Sequence, residues 1–351
     1  MLLYIHIPYC DSKCHYCSFN SYVDKFDTRA DYMDALMVQL EYELERFKVL
    51  ENSIKSIFIG GGTPSTIHPK LYAPLFKKLQ PYLQKELEIT SEANPNSASI
   101  EWLKGMFELG VNRISFGVQS FDNDKLKALN RTHSSRTAKE AIENAFNIGF
   151  KNLSLDLIYN YQTDSKELML KDIIQAFELP INHISAYELT IEEHTKFFNQ
   201  PQKAKADEEL AFFVADEITS RGFAHYEISN FGDYQSYHNK GYWKLKDYIG
   251  LGAGAVGFLK DKRFYPSKDI LDYILNPLNI FIEEINSDEL QTEKIFLGLR
   301  SVVGIDELIL DEGMRKRADF LVQNKKLKKV EKRYINDNFF LADELALYLL
   351  G

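Results

Sequence analysis

Leu2-Leu3-Tyr4-Ile5-His6-Ile7 runs almost directly into Cys10-Asp11-Ser12-Lys13-Cys14-His15-Tyr16-Cys17. A short apolar, β-prone run that opens onto a loop of ligand residues reads as the first strand of a parallel sheet, where functional groups gather at the carboxyl ends of strands. Five further runs have the same character: Ser56–Gly60, Leu87–Glu92, Arg113–Val118, Leu153–Tyr159 and His183–Leu189. Helical periodicity fills the intervals over Tyr32–Leu50, Lys70–Leu83, Ile100–Leu109, Arg136–Ile148 and Glu167–Leu179. Strands alternating with helices imply an α/β fold with right-handed crossovers. Six β–α units are too few for a closed barrel of eight, which leaves an open partial barrel or a doubly wound sheet. Gly60–Ser65, Glu92, Gln119 and Asp156 fall at or near the ends of these runs, where a ligand is expected.

The chain has only three cysteines, all between positions 10 and 17. An odd number argues against a disulfide framework and for thiolate ligands or a reactive thiol. Three thiolates on one loop can hold three irons of a [4Fe–4S] cube and leave the fourth iron open. An open iron can bind a cofactor, and S-adenosylmethionine (SAM) is among those used for radical chemistry. Zinc is the alternative, but a structural zinc site takes four ligands, usually in two separated pairs, and no second pair exists here. His15 lies between two of the cysteines, where its ring more easily points away.

The 351 residues are 45% hydrophobic and 26% charged, enough for one large α/β unit and a smaller appendage. The net charge of −9 excludes a general nucleic-acid binder. Arg315, Lys316 and Arg317, with Lys325, Lys326, Lys328, Lys329, Lys332 and Arg333, form a local basic exception: a solvated face, or contact with an acidic partner or anionic membrane. No secretory leader is evident, and no run approaches the roughly 20 apolar residues of a membrane span. A cytoplasmic protein is expected. Ala204–Arg221 reads as a helix, followed by a Tyr-, Gly- and Asn-rich stretch; Gln291–Leu299 and Met314–Gln323 read as helices. Lys328–Ile335 and Phe339–Ala342, flanking Asn336–Asn338, suggest a hairpin in a winged-helix-like module. The expected divisions are 1–200, 201–290 and 291–351.

Cys-x3-Cys-x2-Cys after an N-terminal strand, with an aromatic at Tyr16, resembles the signature of the radical SAM superfamily. Gly60-Gly61-Gly62-Thr63-Pro64-Ser65 and Gly110–Ser120 are similar to its oxygen-independent coproporphyrinogen oxidase branch, and especially to the heme chaperones of that branch. The resemblance covers nearly the whole chain. It implies a partial (β/α)6 TIM-type barrel with a smaller C-terminal α+β domain. It further implies that Tyr4 and Tyr16 flank SAM near the cluster, that Gly61, Gly62 and Thr63 receive its methionine portion, and that Glu92, Gln119, Arg131 and Asp156 complete the contacts. Each role has a physical reason: glycines admit close backbone approach, carboxylates accept from ammonium or hydroxyl groups, and guanidinium clamps a carboxylate.

The decarboxylating enzymes of this branch carry a fourth cysteine two residues after the third and a longer N-terminal extension. Here Phe19 stands at that position and nine residues precede Cys10. His238-Asn239-Lys240-Gly241-Tyr242-Trp243 matches the H-N-x-x-Y-W motif of the heme chaperones. The resemblance implies heme bound through His238 with Tyr242 and Trp243 against the porphyrin, and His225 as a weaker candidate second ligand. Gly252–Gly257 matches GxGxxG but lacks the βαβ setting of a dinucleotide site, and reads as a packing turn. The expected function is a heme chaperone holding heme, a [4Fe–4S] cluster and SAM, delivering heme to acceptors such as membrane-associated respiratory hemoproteins, with a peripheral place at the inner membrane surface. The alternative is SAM cleavage driving coproporphyrinogen III decarboxylation. Monomer and homodimer remain equally open.

Overall fold

A computed structural model describes residues 1–351. The first half alternates strand and helix: β1 (Leu2–Ile7), α1 (Arg29–Arg46), β2 (Ile54–Gly61), α2 (Pro69–Leu79), β3 (Leu83–Ala93), α3 (Ile100–Glu108), β4 (Arg113–Gln119), α4 (Asn123–Ala128), α5 (Ser135–Ile148), β5 (Asn152–Tyr159), α6 (Lys166–Phe177) and β6 (His183–Glu188). Local chemistry sets the helix ends. Ser99, Ser134 and Ser165 cap α3, α5 and α6 by accepting from Trp102, Thr137 and Leu168 N–H, and Gly149, at φ 123°, stops α5.

Strands β1 to β6 pair in parallel in chain order, as the sequence implies. Because side chains alternate along a strand, one set enters the core beneath the helices: Leu3, Ile5, Ile7, Ile57, Ile59, Ile89, Ile114, Phe116 and Leu155. The other set, including Tyr4, His6, Glu92, Ser115, Gln119 and Asp156, faces the concave side and lines cavities there.

Residues 201–290 are richer in strands than their composition suggests. After α7 (Glu208–Ser220), β7 (Ala224–Glu227) and β8 (Asn230–Gly232) extend the β6 edge antiparallel. Helix α8 (Tyr237–Trp243) then lies under the concave face, with Gly241 against Leu2. The chain returns in β9 (Tyr248–Leu251), parallel to β1, followed by antiparallel β10 (Gly257–Leu259) and β11 (Lys262–Pro266), then α9 (Ile270–Leu275) and β12 (Ile280–Glu284). The result is one twelve-stranded sheet with β1 in its interior.

The remainder comprises α10 (Ser287–Leu299), β13 (Ile305–Asp306), α11 (Glu312–Gln323), β14 (Lys328–Val330), β15 (Arg333–Ile335) and α12 (Ala342–Leu350). Ile295, Leu299, Met314, Leu321, Tyr334, Leu345 and Leu349 belong to a core of their own. The hairpin turns at Glu331–Lys332, not at Asn336–Asn338: β14 and β15 both lie inside Lys328–Ile335, and Phe339–Leu341 is a short 3-10 turn leading into α12. Glu331, at φ 53°, makes this turn without glycine or asparagine, so it carries no turn signature. No helix is long and apolar enough to cross a membrane.

Candidate functional site: a cysteine loop between two cavities

The cysteine loop leaves β1 and is held at both ends by backbone bonds. Cys10 N–H donates to Tyr22 O at 3.0 Å, and Tyr22 N–H to Pro8 O at 2.7 Å. The His15 ring pairs with Ala128 O at 3.2 Å and stands edge-on to Phe197, turned away from the thiols as its position between two cysteines implied. Two donors reach the sulfurs: Thr63 Oγ1 to Cys10 Sγ and Arg131 Nη1 to Cys14 Sγ, each at 3.3 Å. Such donors favour thiolates and tune a bound metal centre. Burial pushes the Cys10 and Cys17 thiols up, so a bound cation must supply what burial removes.

All three thiols border one cavity of about 430 Å³. No three His, Cys, Asp or Glu side chains converge on a point sized for a single ion. Three thiolates spread around a shared volume, with no side chain placed as a fourth ligand, fit a multinuclear iron–sulfur cube better than mononuclear zinc.

The same cavity is lined by Tyr16, Gly61, Gly62, Thr63, Glu92, Gln119, Arg131 and Asp156. Eight of the nine SAM candidates therefore meet the cysteines; Tyr4 lines a second cavity instead. A Cβ on Gly61 (φ 108°) would stand 2.4 Å from the His6 ring, and one on Gly62 2.8 Å from Ile7 O and Tyr9 O, so only glycine fits. Gln119, at φ 70°, ends β4 in the left-handed region, an unusual conformation for a residue with a side chain. Arg131 donates to Asn94 Oδ1 at 2.7 Å and to Gly117 O, and its buried Nε has no partner. Asn94 Nδ2 in turn donates to Thr63 Oγ1 at 3.1 Å, closing a chain of contacts from Cys14 through Arg131, Asn94 and Thr63 to Cys10.

The second cavity, about 760 Å³, lies on the other side of the cysteine loop and is walled by Tyr4, Phe19, Tyr22, Tyr242 and Tyr248 among others. Of the His238–Trp243 motif, only Tyr242 reaches it. His238 is fully buried: Nδ1 pairs with Ser56 Oγ and Nε2 with Tyr242 Oη, each at 2.9 Å. An iron bond from His238 would break one of these pairs. Burial, reinforced by Arg113, holds its pKa down to about 3, so the ring is neutral. Trp243 is set against Glu227, whose carboxyl burial pushes up to about 8. His225 stacks on Phe231 at 4.1 Å and lines neither cavity. Gly252–Gly257 forms the turn from β9 to β10, as its setting implied, with Gly252 (φ 109°) packed against Tyr32 and His6.

Residues 4–173 match the sequence model of the radical SAM superfamily. The heme chaperone HemW of Bacillus subtilis is 33% identical to this chain over 99% of its length and 94% of that protein. The chain belongs to the HemW family. The heme chaperone HemW of Haemophilus influenzae is 41% identical over 73% of this chain and 70% of that protein. Among solved structures, coproporphyrinogen III oxidase (HemN) from Escherichia coli aligns with a TM-score of 0.81 over 99% of this chain and 89% of that one. At 20% identity, that likeness shows a common fold.

Two half-buried carboxyls dominate the cluster cavity of this HemW-family chain. Burial, with the nearby Asp156 charge, pushes Glu92 up to about 8 against the opposing Gly61 N–H at 3.1 Å. Asp156 rises to about 6, chiefly by burial, tempered by Ser185, Arg113 and Ser115. A carboxyl whose pKa is raised in the folded state binds its proton more tightly than the unfolded chain does. Stability is therefore complete below the ordinary value of 4.5 and falls as pH rises toward 8. Discounting for the open cavity it lines, we expect Glu92→Gln to remove about 1–2 kcal/mol of the stability lost between pH 5 and pH 8.5. Urea denaturation at both pH values reads this, and an unchanged pH slope would refute it.

Sequence reasoning missed Asn94, Tyr187 and Glu188 on the cavity wall. Their positions, just past Glu92 or at the end of β6, were the available signal.

Proposed function

We propose that this chain binds heme next to a [4Fe–4S] cluster and SAM, and passes the heme to acceptor hemoproteins. The observation that carries this reading is the shared wall: Lys13, Cys17, Ser18, Phe19 and Ser21 line both cavities. One side gathers glycines, carboxyls and Arg131 suited to SAM. The other offers an aromatic space large enough for a porphyrin, which suits flat apolar faces. A SAM-binding cube supplies an iron with an open position and reducing power for SAM cleavage. This chain's residues do the rest: Thr63 and Arg131 hold two thiolates, and Glu92 and Asp156 stand ready to ionise beside a cation.

Phe19 supports the chaperone over the decarboxylase. It stands where a fourth thiolate would otherwise be, is 67% exposed, and borders both cavities. Acceptor contact at an anionic, inner membrane surface in the cytoplasm is supported by the exposed Lys325, Lys326, Lys328 and Lys332 around the hairpin. The decisive experiment reconstitutes the cluster anaerobically and measures heme uptake and coproporphyrinogen III turnover on the same sample. Saturable heme binding without decarboxylation is expected; rapid decarboxylation overturns the chaperone reading.

A further inference from the structure

Lys13 bridges the cysteine loop with its side chain. Its Nζ donates to Phe19 O at 2.5 Å and to Ser21 Oγ at 2.7 Å, reaching from the residue before Cys14 to residues beyond Cys17. Cys14 and Cys17 both lie within the ring of chain that this closes. The backbone of Lys13 is anchored as well: its carbonyl accepts from Asn130 Nδ2 at 2.8 Å, and Asn130 takes the left-handed conformation, φ 61°, immediately before Arg131. Both partners of the ammonium are neutral oxygens, so they orient its charge without cancelling it. Lys13 and Cys17 stand together on the wall between the two cavities. The three sulfurs are served unequally. Thr63 Oγ1 donates to Cys10 and Arg131 Nη1 to Cys14, whereas no side chain donates to Cys17. Burial pushes the Cys10 and Cys17 thiols up, and the Lys13 charge opposes it at both.

Resting on the cluster reading above but not on heme, we propose that Lys13 is a positioning residue of the iron–sulfur site: it braces the loop through Phe19 and Ser21, and its fixed charge makes a bound cube easier to reduce. Net charge and hydrogen bonding around a cluster set its reduction potential. Reduction adds one negative charge, and a cation held by neutral oxygens stabilises that charge directly. The step is one electron passing from a low-potential external reductant to the cube, with no bond broken and no proton moved. Lys13 stays protonated throughout. SAM cleavage starts from the reduced cube, so this lysine acts on how readily that state is reached.

The test reconstitutes the full-length protein anaerobically, without heme, alongside Lys13→Met and Lys13→Arg. Methionine keeps the length and loses the charge; arginine keeps the charge. Iron and sulfide analysis verifies loading, and titration with a europium(II) chelate, followed by electron paramagnetic resonance, gives the midpoint potential. Lys13→Met is expected to load its cluster and to have a midpoint more negative by at least about 59 mV, a tenfold loss in the one-electron reduction equilibrium. Lys13→Arg should recover more than half of that shift. An unmoved midpoint in Lys13→Met, or equal shifts in both variants, overturns the assignment. A Lys13→Met chain that takes up no iron overturns it too, because the residue then serves assembly and not the potential. If wild type itself takes up no cluster, the cluster reading fails instead.

Discussion

Cys14→Ser yields a folded protein from which iron and sulfide fall to background after anaerobic reconstitution. The three thiols border one cavity, and no neighbour stands ready to replace any of them. His15 is held by Ala128 O, and the Tyr16 hydroxyl, pushed up by burial, is a poor anionic ligand. Cys14 is also the sulfur that Arg131 donates to, and serine offers it only a neutral hydroxyl on a shorter reach in place of a thiolate. Cys14 is half-buried on a loop outside the sheet, so the melting temperature without a cluster should move by only a few degrees. Electron paramagnetic resonance of the reduced sample, with and without SAM, checks the second consequence: a SAM-dependent change in wild type and none in the variant. A serine variant that keeps the full cluster and its SAM response would remove Cys14 as a ligand.

Glu88→Ala should cost about 3 kcal/mol or more of stability, because it leaves several buried donors unsatisfied together. Glu88 is buried in β3, and its two oxygens accept from Tyr234 Oη at 2.8 Å, Ser236 Oγ at 3.2 Å, Tyr237 N at 2.8 Å and His238 N at 2.9 Å. These donors are the first turn of α8 and its approach, so one carboxylate pins the helix that carries His238 and Tyr242. Glu88→Gln preserves the volume but points an amide N–H₂ at groups that also donate, and should recover only part of the loss. Chemical denaturation gives the stability, and hemin titration of the folded fraction gives the functional effect, a weakening alongside the melting of α8. A change below about 1 kcal/mol with unaltered heme affinity would show that the helix is held by other contacts.

Much of this architecture was legible because its signals are local. Each of the six parallel strands is a short apolar run followed or preceded by a helical segment, three of them started by serine caps, so β1 emerges as read and β2 to β6 shift by only a few residues. The cysteine loop and Gly61–Thr63 were equally legible, since backbone geometry and thiolate chemistry demand those residue types. Residues 224–266 were not. Their strands are three to five residues long, and what makes them strands is pairing to β6 and β1, far away in sequence. The C-terminal hairpin was displaced because Glu331 turns the chain without a turn residue. The role of His238 was hidden for a different reason. A motif names the residue types but not which of them faces a cavity, and only three-dimensional packing reveals that Tyr242 does so while His238 stands behind it.

The interior place of β1 has a consequence for the order of folding. Leu2 aligns with Ser56 on one side and Tyr248 on the other, and Asn20, on the tail of the cysteine loop, donates to Ala253 O and Lys268 O. β1 and the cysteine loop thus wait for residues near 268 before their flank is covered and the loop tied down. Native pairings this distant form late. Until those contacts form, the loop carrying the three thiols is not held on that side. A fragment ending before β9 should expose β1 as a sheet edge, a surface prone to aggregation.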